Sequence, residues 1–124
     1  MPKITIVLRK GYGGAKQALC TREMGADQLF VWPGVELAVI GGGGAVNILY
    51  RREIEQSPDP EKTRQEKIAE FTERFSGPFE ALSKQFAQAA IRPSETRKRL
   101  IQSLEILRGK KEERPRKKHG IMPV

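Results

Sequence analysis

Residues Lys3 to Met24 read KITIVLRKGYGGAKQALCTREM. Ile4, Ile6 and Leu8 alternate with Thr5, Val7 and Arg9, and the β-branched content predicts a strand. Gly11-Tyr12-Gly13-Gly14 follows, and Ala15 to Met24 has the composition of a helix. A strand that passes through glycines into a helix brings bare backbone N–H groups to one point, where the positive end of the helix dipole also lies. Such a device holds an anion, or an oxygen on which negative charge develops during a reaction. A tight turn with nothing bound is the competing reading of the same residues. Two familiar phosphate loops are excluded by spelling. Lys16 stands where a dinucleotide fingerprint needs its last glycine, and no Walker-type run ending in Lys-Ser or Lys-Thr occurs.

The device recurs. Leu29 to Trp32 and Val35 to Ile40 read as short strands parted by Pro33-Gly34. The second runs into Gly41-Gly42-Gly43-Gly44, and Ala45 to about Glu55 is predicted as one helix. Two strand–glycine–helix units within residues 1–56 allow two helix ends to converge on one ligand, and the element order predicts an α/β fold. Residues 57–109 are expected to be mainly helical. Asp59 caps and Pro60 opens a helix to Phe75, with Ile68, Phe71 and Phe75 on one face. Pro78 to Ala87 is predicted as a short helix and Ala89 to Ile91 as a brief strand. Ser94 is expected to cap a last helix whose stripe is Leu100, Ile101, Leu104 and Leu107, ending near Gly109. Three or four strands cannot close a sheet, so further strands are expected from outside this sequence.

A length of 124 residues fits one domain, and an apolar fraction of 38% implies a lean core. Seven basic and two acidic residues lie between Arg108 and Lys118, so the net charge of +8 is largely a property of the tail, residues 110–124. No aromatic residues interleave with those charges, which argues against a nucleic-acid partner. Cys20 is the only cysteine, which excludes an internal disulfide; it is expected mid-helix as a small buried thiol. His119, the only histidine, falls in the tail, so neither a Cys–His nucleophile nor a metal site is expected. No stretch reaches the ~18 apolar residues of a membrane span, and no secretory leader is visible. A soluble intracellular protein is expected.

Several strings occur in a definite order: PKITIVLRKGYGGA, GAD, WPGVELAVIGGGGAVNILYRREI, RPSETRKRL and KKHGIMPV. Together they resemble the C-terminal end of acyl-CoA carboxylase carboxyltransferase subunits, above all propionyl-CoA carboxylase β chains and methylmalonyl-CoA carboxyltransferase. The resemblance spans Pro2 to nearly Val124 but corresponds to only the last portion of the family's polypeptide. It implies a partial crotonase-like (ββα) fold, the second half of a carboxyltransferase C-terminal domain, in a homo-oligomeric enzyme of the cytoplasm or, in a eukaryote, the mitochondrial matrix. Met1 directly before the family string implies a fragment, a truncated frame or a separately encoded piece.

The implied activity is carboxyl transfer from biotin, carried on a separate protein, to a short-chain acyl-CoA such as propionyl-CoA. The implied partners are biotin carboxyl carrier and biotin carboxylase components and an N-terminal carboxyltransferase half. Family chemistry relies on paired backbone N–H groups rather than a side-chain base. By resemblance, Gly14 and Ala15 are the pair facing the biotin ureido oxygen, flanked by Gly13, Lys16 and Gln17; Gly43, Gly44 and Ala45 form the loop beside it. A β-branched residue at Gly14 is therefore expected to abolish transfer. Lys16 stands where the family usually has Tyr, Gln17 at a position that sorts acyl chains, and Gly43 where Glu is common. Gln85 to Ile91 replaces a family segment rich in Asp and Val, so its local turn is expected to differ. The alternative reading is a non-catalytic remnant or assembly piece.

Overall fold

The computed structural model describes residues 1–113, Lys118 and Gly120. Strand β1, Ile4–Val7, pairs in parallel with β3, Gln28–Val31, from Ile4 opposite Gln28 to Val7 opposite Val31. Strand β5, Ala89–Ala90, joins the other side of β3. A second parallel sheet pairs β2, Lys10–Tyr12, with β4, Glu36–Ala38, Lys10 standing opposite Glu36. The chain thus repeats one path: a strand in the first sheet, a bend, a strand in the second, then a helix. Those helices are α1, Gly13–Ala18, and α2, Gly42–Leu49. There are five strands among the described residues rather than three or four. The unforeseen one is β2, whose Lys-Gly-Tyr is too short and too glycine-rich to carry a strand signal.

The bend at Leu8-Arg9 and the one at Pro33-Gly34 move the chain from sheet to sheet, and pairing persists across them. Trp32 N–H donates to Val7 O at 3.1 Å and Glu36 N–H to Arg9 O at 2.6 Å. The core lies where the sheets meet: Val7, Leu29 and Val31 from the first, Val35 and Leu37 beside or within the second, closed by Ala81 and Ala87. Leu29 and Val31 are 0% exposed, and each such aliphatic chain contributes roughly 1.5–3 kcal/mol. This small apolar wedge is what fixes the strand ends from which α1 and α2 start.

The helices depart from expectation in ways that local bonding explains. Helix α1 stops at Ala18, not Met24. Cys20 N–H closes a tight turn onto Gln17 O, and the Thr5 hydroxyl donates to Cys20 O at 2.7 Å, so Cys20 sits at φ 63 in a left-handed turn rather than mid-helix. A 3-10 turn at Arg22–Met24 follows. The helix predicted through Glu55 breaks at Tyr50 (φ −115, ψ 16), and α3, Arg51–Glu55, resumes after it. Helix α4, Pro60–Phe75, begins as the sequence predicts, with the Asp59 carboxylate accepting from Lys62 N–H at 3.1 Å.

Helix α5, Pro78–Ser83, ends early because Gln85 turns left-handed at φ 58. Gln88 then pairs with Leu29 twice, through its side-chain oxygen at 2.6 Å and its own N–H at 2.9 Å, which aligns β5. Before α6, Thr96–Ile106, the chain makes a 3-10 turn at Pro93–Glu95, so Ser94 is not the cap. Instead the Glu95 carboxylate accepts from Arg92 N–H at 2.9 Å, and the Trp32 indole donates to the Thr96 hydroxyl at 3.1 Å. Ile101 and Leu104 stay 58% and 52% exposed, so half of the predicted stripe faces outward. Among the described residues no helix is long and apolar enough to cross a membrane. Residues 114–117, His119 and 121–124 of the basic tail, with most of the KKHGIMPV string, lie outside the described residues.

Candidate active site

Tyr12 is extended, and Gly13 after it takes φ 51, the left-handed region that favours glycine; a Cβ at Gly13 would also stand 3.2 Å from Val39 O. Gly14 has no such restraint: nothing lies within 4 Å of where its Cβ would be. The turn therefore needs Gly13 for its shape, while Gly14 leaves the space above the helix end open. No side chain caps α1, and among the described residues the N–H groups of Gly14 and Ala15 have no acceptor. Both residues are exposed. Beside them is a cleft of about 190 Å³ lined by Gly13, Gly14, Lys16, Gln17 and Val39. Bare donors at a helix start, with no carboxylate in the lining, favour negative charge there.

The second glycine run behaves differently. Gly41 is extended before α2, and its carbonyl accepts from Gly44 N–H and Ala45 N–H, both at 3.0 Å. Ala45 is buried. Gly42 is a packing glycine, since a Cβ there would lie 2.6 Å from Thr72 Oγ1 and 3.3 Å from Ile68 O on α4. Gly44 would press on Ile40 at 3.0 Å. Close packing thus accounts for Gly42 and Gly44, while Gly43 has only ordinary contact. The structure gathers Gly13, Gly14, Lys16 and Gln17 at one cleft with Ala15 beside it; Gly43, Gly44 and Ala45 do not line that cleft.

Tyr12, which the sequence reading passed over, joins the two turns. Its ring lies 3.4 Å from where a Cβ of Gly41 would be, and its hydroxyl donates to the Glu36 carboxylate, which Lys10 also approaches at 3.5 Å. Burial first, then the bond to Glu36 and its charge, push the Tyr12 phenol up to about 12. The signal available in sequence was an aromatic residue inserted between glycines. Val39, 81% exposed at the cleft, gave none. Lys16 turns inward: it is only 9% exposed, and its ammonium stands 4.1 Å from the centroid of the Phe86 ring.

Comparison with known proteins bears on the family and the fold. The family model for the carboxyl transferase domain matches residues 1–122. A protein of Bacillus subtilis assigned as a propionyl-CoA carboxylase beta chain is 47% identical over 124 residues, which is all of this chain and 24% of that protein. The methylmalonyl-CoA carboxyltransferase 12S subunit of Propionibacterium freudenreichii subsp. shermanii is 43% identical over 123 residues, again 24% of its length. A crystal structure of the transcarboxylase 12S hexamer, with methylmalonyl-coenzyme A and methylmalonic acid bound, superposes on the whole chain with a TM-score of 0.89 at 43% identity, covering 24% of that chain. The beta subunit of geranyl-CoA carboxylase from P. aeruginosa matches 85% of this chain at 25% identity and a TM-score of 0.69. The chain spans about a quarter of the length of these relatives (24% for the curated ones).

Proposed function

The chain belongs to the carboxyl transferase domain family, with a partial crotonase-like fold, and we propose that the turn before α1 forms the biotin side of a carboxyltransferase site. The observation that carries this reading is the pair of unengaged amides, Gly14 and Ala15, at an open cleft. The residues fit a ureido group: two main-chain donors suit its single oxygen, Val39 offers an apolar flank, and no acid lines the cleft to oppose negative charge. Bound there, biotin would supply the nitrogen from which the carboxyl group leaves. Gly14 and Ala15 donate to the ureido oxygen as charge gathers on it, at no cost of reorganisation because the helix start already holds them in place. Gly13 fixes the bend that exposes them. Tyr12, held by Glu36, keeps the two turns in register, and the Gly43 to Ala45 segment shapes the neighbouring wall.

The acceptor in this reading is a short-chain acyl-CoA of the propionyl type, positioned by chain outside this sequence. Biotin carrier and biotin carboxylase components serve as partners, within a homo-oligomer of the cytoplasm or mitochondrial matrix. The test joins this chain to the upstream remainder of a carboxyltransferase subunit and measures carboxyl exchange between methylmalonyl-CoA and free biotin. Exchange that requires this chain supports the reading; none in a well-assembled complex overturns it. The outward Ile101, Leu104 and Ile106 of α6 favour a second reading, an assembly piece without chemistry. Gel filtration of that same mixture shows a large complex in both cases, and only exchange separates them.

A further inference from the structure

A second hollow, of about 460 Å³, shares Lys16 and Val39 with the small cleft. Its walls are mainly apolar and include Leu37, Ile40, Phe71, Phe75 and Phe86. The Phe71 and Phe75 rings meet at 4.9 Å between centroids with their planes tilted by 43°. Three charged side chains reach it: Lys16, Glu80 and Lys84. Glu80 and Lys84 neutralise each other at 2.6 Å. Lys16 is thus left as an unmatched positive charge, 9% exposed, with no ion pair or hydrogen bond from its ammonium among the described residues. Its resting partner is the face of Phe86. Glu23 senses Lys16 only weakly; its carboxyl is held below the ordinary range first by the Thr21 hydroxyl and its own backbone N–H.

The Lys16 ammonium has only an aromatic face for a partner, and such a face holds a cation weakly. A carboxylate brought against the same ammonium makes a shorter, charge-assisted bond, while a hydrocarbon body covers the apolar wall. We propose that this hollow is a binding site for a small carboxylate with an apolar body, the carboxylate taken by Lys16 and the body lying along Phe71 and Phe75. The site does not depend on the reading of the glycine turn as an oxyanion device, since its recognition comes from one side-chain cation and an aromatic wall.

The test titrates the full chain with octanoate, and with octanol as the uncharged probe of equal length, following backbone amide resonances and calorimetric heat. Saturable octanoate binding is expected, with resonances of Phe71, Phe75 and Phe86 shifting and octanol at least tenfold weaker. Lys16→Met is expected to weaken octanoate roughly tenfold or more while leaving octanol unchanged. Phe86→Leu keeps the charge and removes its resting partner, so octanoate binding is expected to survive or tighten. Equal affinity for the two probes overturns the proposal, because the hollow would then be merely apolar. So does an absence of saturable octanoate binding, or octanoate affinity unaffected by Lys16→Met. If Lys16→Met fails to fold, the octanol comparison and Phe86→Leu decide: loss of octanoate binding in a folded Phe86→Leu chain contradicts the assignment.

Discussion

At the scale of single residues, Gly13 and Gly14 are neighbours with separate tasks. Gly13 holds a positive φ that an L side chain adopts at a cost of about 1–2 kcal/mol, and Val39 O crowds its Cβ position. Gly13→Ala is therefore expected to lower stability by about that amount in urea unfolding, whereas Gly14→Ala changes it by less than about 0.5 kcal/mol. The sequence points to the turn but not to this division of labour, because backbone dihedrals are not written in composition. It places the geometric burden on Gly14, and the structure moves that burden to Gly13. Tyr12 yields a second prediction. Its phenol titrates at about 12 against an ordinary value of 10.0, so folding loses stability as pH rises from about 10 towards 12, where the unfolded chain ionises first. Ultraviolet titration of Glu36→Gln is expected to give a lower midpoint that stays above 10.0, because burial, the larger cause, remains.

At the scale of elements, the ββα repeat was half legible. The β-branched run at Ile4 to Val7 and the apolar run at Leu29 to Val31 declare β1 and β3, the first half-buried and the second buried from Leu29 on. In the second sheet β4 was legible within the Val35 to Ile40 run, whereas β2 was hidden because it is three residues long and its pairing depends on bends that only the fold creates. Helix α4 was legible to its first residue through Asp59 and Pro60; the early ends of α1 and α5 were not, because left-handed Cys20 and Gln85 are unusual terminators. The glycine run before α2 looked like a second ligand turn, and its strongest constraint is contact with α4. Gly42→Val is expected to drive into Thr72 and Ile68 and cost about 1–3 kcal/mol, read as a lower thermal midpoint. Gly43→Ala, with its nearest atom 3.9 Å away, is expected to leave that midpoint near its original value.

For the molecule as a whole, one contact ties the far end of the chain to its beginning. Lys110 lies 2.6 Å from Asp27, which also accepts from Lys3 N–H at the start of β1. The Lys110 bond first, then the Lys3 backbone, hold the Asp27 carboxyl below its ordinary 3.8, so this contribution is present above that pH and fades as pH falls below it. Thermal melts from pH 3 to 7 are expected to show the wild-type chain more stable than Asp27→Asn near neutrality, the difference closing in acid. Through Asp27, this pair fastens the chain after α6 to the residue that leads into β1. In the proposed site the N–H groups of Gly14 and Ala15 stabilise the charge that gathers on the biotin ureido oxygen. The single cysteine, Cys20, lets residues 1–19 be supplied synthetically and ligated to the rest, so the Ala15 amide can be replaced by an ester that lacks only the donor. In the assembled carboxyltransferase, transfer to biotin is expected to slow by about 10²–10³ with acyl-CoA binding intact; turnover equal to that of the amide protein would refute the role of these donors.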